Sequence, residues 1–316
     1  MAEYINIKGQ SIEVVASDPA NPTIGQIWYN STSNTLKGGN VTTAGAWATG
    51  GTMGTARYGL TGAGTQTETL AFGGFVTGAT EEYNGATWSP SNPLNTARAY
   101  LGSGGTQTAG LAFGGYTPAA TGATEEYNGS TWANNPTGLG TARRSLGGCG
   151  TQTAGLAFGG TPPVTGATEE YDGSTWTTGG TMGTARYFVG SAGIQTAALA
   201  FAGSTPTVSL TATEEYDGAS WTAGGSLNTT FSYVASGSCG TQNAALAFGL
   251  PSATEEYDGT SWTTSPATFA TVRQQLAGCG TQPSALAFGG YTTAATGATE
   301  EWTGAGVPLV QTITAS

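Results

Sequence analysis

The chain has 316 residues, only 9% of them charged, with 53 Gly, no His and a formal net charge of −11. Without His there is no Ser-His triad and none of the common zinc sites. Eight scattered Lys and Arg do not make a phosphate-binding surface, and no apolar run approaches the roughly 20 residues of a membrane-spanning helix, so neither nucleic acid nor membrane insertion is expected. No cofactor or metal site is expected either.

The opening residues Met1 to Gln10 have neither a basic region nor an apolar core, so no cleavable secretion signal is read there and folding in the cytoplasm is expected. Residues 1–40 stand outside the pattern that follows. Within them Gln26 to Asn30, a turn at Ser31 to Asn34 and Thr35 to Lys37 predict a β-hairpin. This arm has two readings, an attachment element or a cap that covers a sheet edge.

From Val41 a repeat takes over. Its anchor, Leu-Ala-Phe followed by Gly in five of six copies, begins at Leu70, Leu111, Leu156, Leu199, Leu246 and Leu286, at intervals of 41, 45, 43, 47 and 40 residues. A period in the forties with strand-like pieces in every copy predicts propeller blades of four strands. Each unit parses into a first strand from Thr-Ala-Arg through Leu, a second at the anchor, a third at Thr-Glu-Glu-Tyr and a fourth at Ser-Thr-Trp. Asn84-Gly85, Asn128-Gly129, Asp172-Gly173, Asp217-Gly218 and Asp258-Gly259 join the last two strands and predict type I′ turns. Five copies have their own Trp after the third strand, and the sixth Trp, Trp47, lies before the first copy. The N-terminal strand is therefore expected to complete the last blade. The prediction is an all-β, six-bladed propeller of four-stranded antiparallel blades over residues 41–306, helix-free and closed by that strand. Residues 307–316 form a tail strand, placed either on the outside of the last blade or against a neighbouring subunit.

Chemistry-bearing residues recur with the repeat. The pairs Glu81-Glu82, Glu125-Glu126, Glu169-Glu170, Glu214-Glu215, Glu255-Glu256 and Glu300-Glu301 point to opposite faces of a strand and cannot act as dyads. A two-residue hairpin sets Glu169 across from Trp176, with a repeat Arg or a backbone N–H as its partner; cation binding and catalysis are the alternatives. Gln66, Gln107, Gln152, Gln195, Gln242 and Gln282 either bond their own loop's backbone or offer a ring of amides at the axis. Cys149, Cys239 and Cys279 share one slot, expected to hold buried free thiols too far apart for a disulfide.

Two resemblances follow from these residues. The repeat resembles the kelch repeat in Arg57, Arg98, Arg143, Arg186 and Arg273, in the Gly-Gly that ends strand two, in the Tyr of strand three, and in Trp47, Trp88, Trp132, Trp176, Trp221 and Trp262. Departures are Phe231 for Arg, Ala202 and Leu250 for Gly, Trp302 for Tyr, and a shorter Tyr-to-Trp spacing. The resemblance implies structural roles for these Arg and Trp residues. The absence of His removes the copper ligands of galactose oxidase, an enzyme of that family. Tyr-Asp-Gly-Ser-Thr-Trp resembles part of the sialidase Asp-box but lacks its Asp spacing. The stretch Pro22 to Lys37 resembles a short element of bacteriophage tail-fibre and other virion appendage proteins.

In an up-and-down blade, the loops from strand two to three and from blade to blade share one face. They differ between copies, whereas the other loops barely change. Loops released from the repeat are where specificity is carried on a rigid scaffold, and Phe75, Tyr116 and Tyr291 are the aromatic candidates there. The expected function is a non-enzymatic virion structural protein: a tail fibre, baseplate or capsid appendage, assembled in the host cytoplasm and exposed on the particle. Residues 1–40 would contact other virion proteins, and the loops a host-surface glycan or protein or another virion protein, with homo-oligomerisation compatible. The alternatives are a cellular kelch-like interaction scaffold and a glycan-cleaving propeller.

Overall fold

A computed structural model describes residues 12–19, 26–41, 44–75, 77–231, 237–306 and 308–313. The start of the arm, Pro22 and Val307 lie outside them. All regular structure among the described residues is β, without helix. The chain divides into two compact units, residues 46–302, and residues 1–45 with 303–316.

The larger unit holds six four-stranded sheets. The third shows the pattern: Gly147–Gly150, Gly155–Phe158, Thr168–Tyr171 and Trp176–Thr178, each antiparallel to the next. In the sixth, Ala277–Thr281, Ser284–Phe288 and Thr299–Thr303 are completed by Ala46–Thr49 from the other end of the chain, the exchange that Trp47 predicts. The first strands touch in series from sheet to sheet, and Ala277–Thr281 also touches Thr61–Gly64. Apolar cores lie between neighbouring sheets: Leu70 and Phe72 of the first pack with Ala112, Tyr127 and Trp132 of the second, and Leu111 and Phe113 with Ala157 and Tyr171 of the third.

Expectations are corrected at three places: the first strand, the hairpin of strands three and four, and the sheet count. The first strand begins after the Leu of Thr-Ala-Arg-x-x-Leu, at Gly147 in the third copy, so the Arg segment belongs to the connection between sheets. The glycines of the true strand suit close packing rather than β propensity: a Cβ on Gly148 would lie 2.5 Å from the Phe113 ring. The Glu-Trp register also differs. Tyr171 faces Trp176, and Glu169 faces Thr178. The turn is held by Asp172, whose Oδ1 accepts from the N–H groups of Ser174 and Thr175. Gly173 alone of that Asp-Gly pair has positive φ, so the turn is not type I′, which needs it at both centres.

The third correction concerns the sheet count. Where six sheets are predicted, the described residues contain seven, because the arm and tail build one of their own. Ile27–Asn30 and Thr35–Val41 form the expected hairpin. Glu13–Val15 adds in parallel on one side, and the tail Pro308–Thr312 adds antiparallel to Thr35–Val41 on the other. The tail thus extends the arm and not the last blade. Trp28 is fully buried in this unit, and its indole N–H donates to Asp18, which also accepts from Asn30. Those two bonds, Asn30 first, hold the Asp18 carboxyl below its ordinary range.

Candidate functional site

The repeated polar residues are occupied by their neighbours. Arg57 meets Glu81 at 3.4 Å, Arg98 meets Glu125 at 3.3 Å, Arg143 meets Glu169 at 3.1 Å, Arg186 meets Glu214 at 2.6 Å, and Arg273 pairs with Glu300. All five guanidinium groups are buried. Burial lowers their pKa and the paired Glu opposes that shift; Arg57 falls to about 10. The same carboxylates accept from backbone N–H groups of the connection, as Glu169 does from Gly140. Both partners expected of the first Glu are therefore present. Sheet five departs: Phe231 replaces Arg, Glu255 Oε2 accepts from Asn228, and its buried Oε1 has no partner among the described residues.

The other repeated groups join adjacent sheets. Six Trp indoles donate to a Thr hydroxyl on the third strand of the preceding sheet, at 2.9 to 3.0 Å; Trp176 does so to Thr124 and Trp47 to Thr254. Five Tyr hydroxyls donate to the second Glu of the preceding sheet, as Tyr127 does to Glu82 at 2.5 Å. The six Gln amides bond neither their own loop nor the axis. Each donates to two backbone carbonyls of the preceding sheet: Gln107 to Thr69 and Tyr83, Gln66 to Ala285 and Trp302. A single-copy reading misses this, because the partners lie in the previous repeat. Cys149, Cys239 and Cys279 are buried and free, and burial pushes their thiols up, those of Cys149 and Cys279 to about 12. They line a cavity of about 120 Å³ among the first strands with Gly, Ser and Thr.

The variable loops present a different surface. Phe75 is 40% exposed and stacks on Tyr58 at 5.2 Å, and Tyr58 meets Tyr291 edge-on at 5.1 Å. Phe75 and Tyr116 line one groove of about 310 Å³ with Ala97, Ala99, Thr117 and Pro118. Arg144 lies over the Tyr116 ring, 4.6 Å from its centroid. The three predicted aromatics thus fall on one arc with Tyr58 and Arg144, which sequence reasoning missed. Their signal was present: in five copies a pair that differs from copy to copy stands between the Arg and the following Leu or Val, Tyr58-Gly59, Ala99-Tyr100, Arg144-Ser145, Tyr187-Phe188 and Gln274-Gln275. Assigning them to a strand hid them.

The second residue of each pair has positive φ, between 54° and 64° at Gly59, Tyr100, Ser145, Phe188 and Gln275. For the non-Gly members this costs about 1 kcal/mol or more each. A chain of backbone bonds holds it: Tyr100 N–H to Gly59, Ser145 to Tyr100, Phe188 to Ser145, and Gly59 to Gln275, all 2.7 to 2.9 Å. Tyr100 also donates to Gln275 Oε1 and meets Phe188 edge-on.

Charge separates the two faces. No Asp or Glu occurs between second and third strands or between one sheet and the next. Glu68, Asp172, Asp217 and Asp258 lie in the opposite loops. There, backbone N–H groups lower the Asp carboxyls, Asp172 to about 2.

No family model matches the chain, and no curated protein matches it. Its fold is similar to the solved structure of YjhT, with a TM-score of 0.66 and 11% identity over 82% of this chain and 99% of that one. At that identity the likeness concerns the fold alone, and together with the repeated four-stranded sheets it supports a β-propeller architecture.

Proposed function

We propose that the chain is a non-enzymatic structural protein of a virion, a bacteriophage tail fibre, baseplate or capsid appendage. In this reading residues 1–40 attach to other virion proteins and a closed, six-bladed, kelch-like propeller turns its variable loop face outward. The observation that carries the contact role is the division of labour between residues: the recurring Arg and first Glu are spent on each other and the recurring Gln, Tyr and Trp on neighbouring sheets, while Phe75, Tyr58, Tyr291 and Tyr116 gather on loops free of the repeat. Catalysis at pH 7 asks for a convergent acid, base or nucleophile. Here the carboxylates form a sixfold framework, and the chain has no His. The serial contact of six first strands, with Ala46–Thr49 completing the last of their sheets, supports the six-bladed reading. The resemblance of Pro22 to Lys37 to virion appendage elements supports the particle assignment. Several weak contacts on one particle would add through avidity.

Immunogold electron microscopy of particles from the source material, with an antibody raised to residues 46–302, tests the reading. Label on particles that is lost when residues 1–40 are deleted is the expected result. A free monomer, absent from particles, overturns it and favours the cellular scaffold.

A further inference from the structure

We infer that the aromatic arc binds a carboxylate-bearing sugar, with Arg144 as the carboxylate anchor. This inference rests on the loop face being the contact surface. Six basic residues occur between 46 and 302, and five of them are buried against a repeat Glu. Arg144 is the sixth. It is half-buried, stacks on Tyr116 and has no acidic partner among the described residues. Its backbone is bridged to Thr161, and its side chain lies over a ring that lines the 310 Å³ groove shared with Phe75. A stacked guanidinium keeps its in-plane N–H donors available, and their fork matches the two oxygens of a carboxylate.

The charge pattern agrees. The chain is strongly acidic, yet the connections that build this face contain no Asp or Glu, so an anion meets no local repulsion there. One cation suits a singly charged group. A phosphate or a sulfated polymer would call for several, and this face has none besides Arg144 outside the buried pairs. A protein partner is less well served: exposed large apolar side chains on these connections are scattered, Phe75, Val208 and Val272, whereas a protein interface centres on a contiguous desolvated core. Sugar rings need separate aromatic faces and nearby hydroxyl or backbone partners. Tyr291, Tyr58 and Phe75 in a row, with Thr117 in the groove beside Tyr116, present that combination.

Calorimetric titration of the full chain with galacturonate and hyaluronate oligomers, each beside its carboxyl-reduced counterpart, tests this. The acidic form of at least one is expected to bind at least tenfold more tightly than its reduced form, with a preference that weakens as salt rises. Arg144→Met keeps the packing on Tyr116 and is expected to bring the acidic form down to the reduced one; Arg144→Lys retains part of the preference. Tyr58→Ala is expected to weaken both forms together. Thermal melts of each variant check folding. Equal affinity for both forms, an unchanged preference in Arg144→Met, or no binding of any acidic oligomer overturns the inference. If Phe75→Ala and Tyr291→Ala still weaken adhesion of the chain to cell envelopes, the contact-face reading survives that result; if they do not, that reading fails as well.

Discussion

The two loop faces of the repeat unit are made from the same six copies but use them differently. On one, Thr-Gln loops and Asx-held turns recur with little change, and their polar groups bond the neighbouring sheet or their own turn. On the other, the Arg-Glu pairs are constant beneath the surface while the residues above them change from copy to copy. The lesson is that a repeat protein keeps what joins one sheet to the next and varies what no neighbour needs. Sheet five breaks the first part of that rule: Phe231 stands in the Arg position, and Glu255 Oε1 is buried without a partner among the described residues.

The largest effect should come from breaking a constant pair. Arg143→Met strands Glu169 in the interior and is expected to destabilise the fold by about 3–5 kcal/mol, read as a lower denaturation midpoint. Glu255→Gln makes the converse change in a sheet that already lacks its Arg. It should leave stability unchanged or raise it by about 1 kcal/mol, and a loss as large as that of Arg143→Met would show that the two sheets are not different after all.

Next come the amide staples. Gln107→Ala removes two bonds to the carbonyls of the preceding sheet and should cost about 2 kcal/mol in chemical denaturation. On the variable face, Phe75→Ala or Tyr291→Ala should move stability by no more than about 1 kcal/mol, since Phe75 is well exposed and Tyr291 partly so. A larger loss would place them in the framework.

The smallest effect concerns pH. Burial and then the hydrogen bond to Glu raise the Tyr83, Tyr127 and Tyr216 hydroxyls from about 10 to about 12, and Tyr171 and Tyr257 shift the same way. A folded pKa above the unfolded one means that the stability from these bonds is complete below pH 10 and is lost as pH climbs through about 12. Thermal melts between pH 9 and 12 should show this decline, shallower in Tyr127→Phe.

Much of this fold was legible because its signals recur. Six anchors and five Asn-Gly or Asp-Gly turns marked the sheets, and a Trp47 with no third strand before it foretold the exchange that completes the sixth. What stayed hidden depended on partners in another copy. Gly147 to Gly150 has almost no strand propensity; the Phe158 and Phe113 rings explain Gly147 and Gly148, and a positive φ with the Ala154 carbonyl close by explains Gly150. Gln152 bonds Gly110 and Tyr127, some 25 to 42 residues away. The tail carried no register signal for Thr35–Val41, since strand pairing between chain ends is set by tertiary packing. Of the aromatic arc, Phe75, Tyr116 and Tyr291 are found from loop variation. Tyr58 and Arg144 were lost when the connection was read as a strand.

Adsorption of the purified full chain to bacterial cell envelopes is the most direct test of the proposal that the variable face makes contact. A Phe75→Ala, Tyr116→Ala, Tyr291→Ala chain should lose at least tenfold in adsorption, while an Asp172→Asn, Asp217→Asn, Asp258→Asn chain, altered on the opposite face, should stay within about twofold of the parent. Equal losses in the two, or loss confined to the Asp variants, would contradict the account.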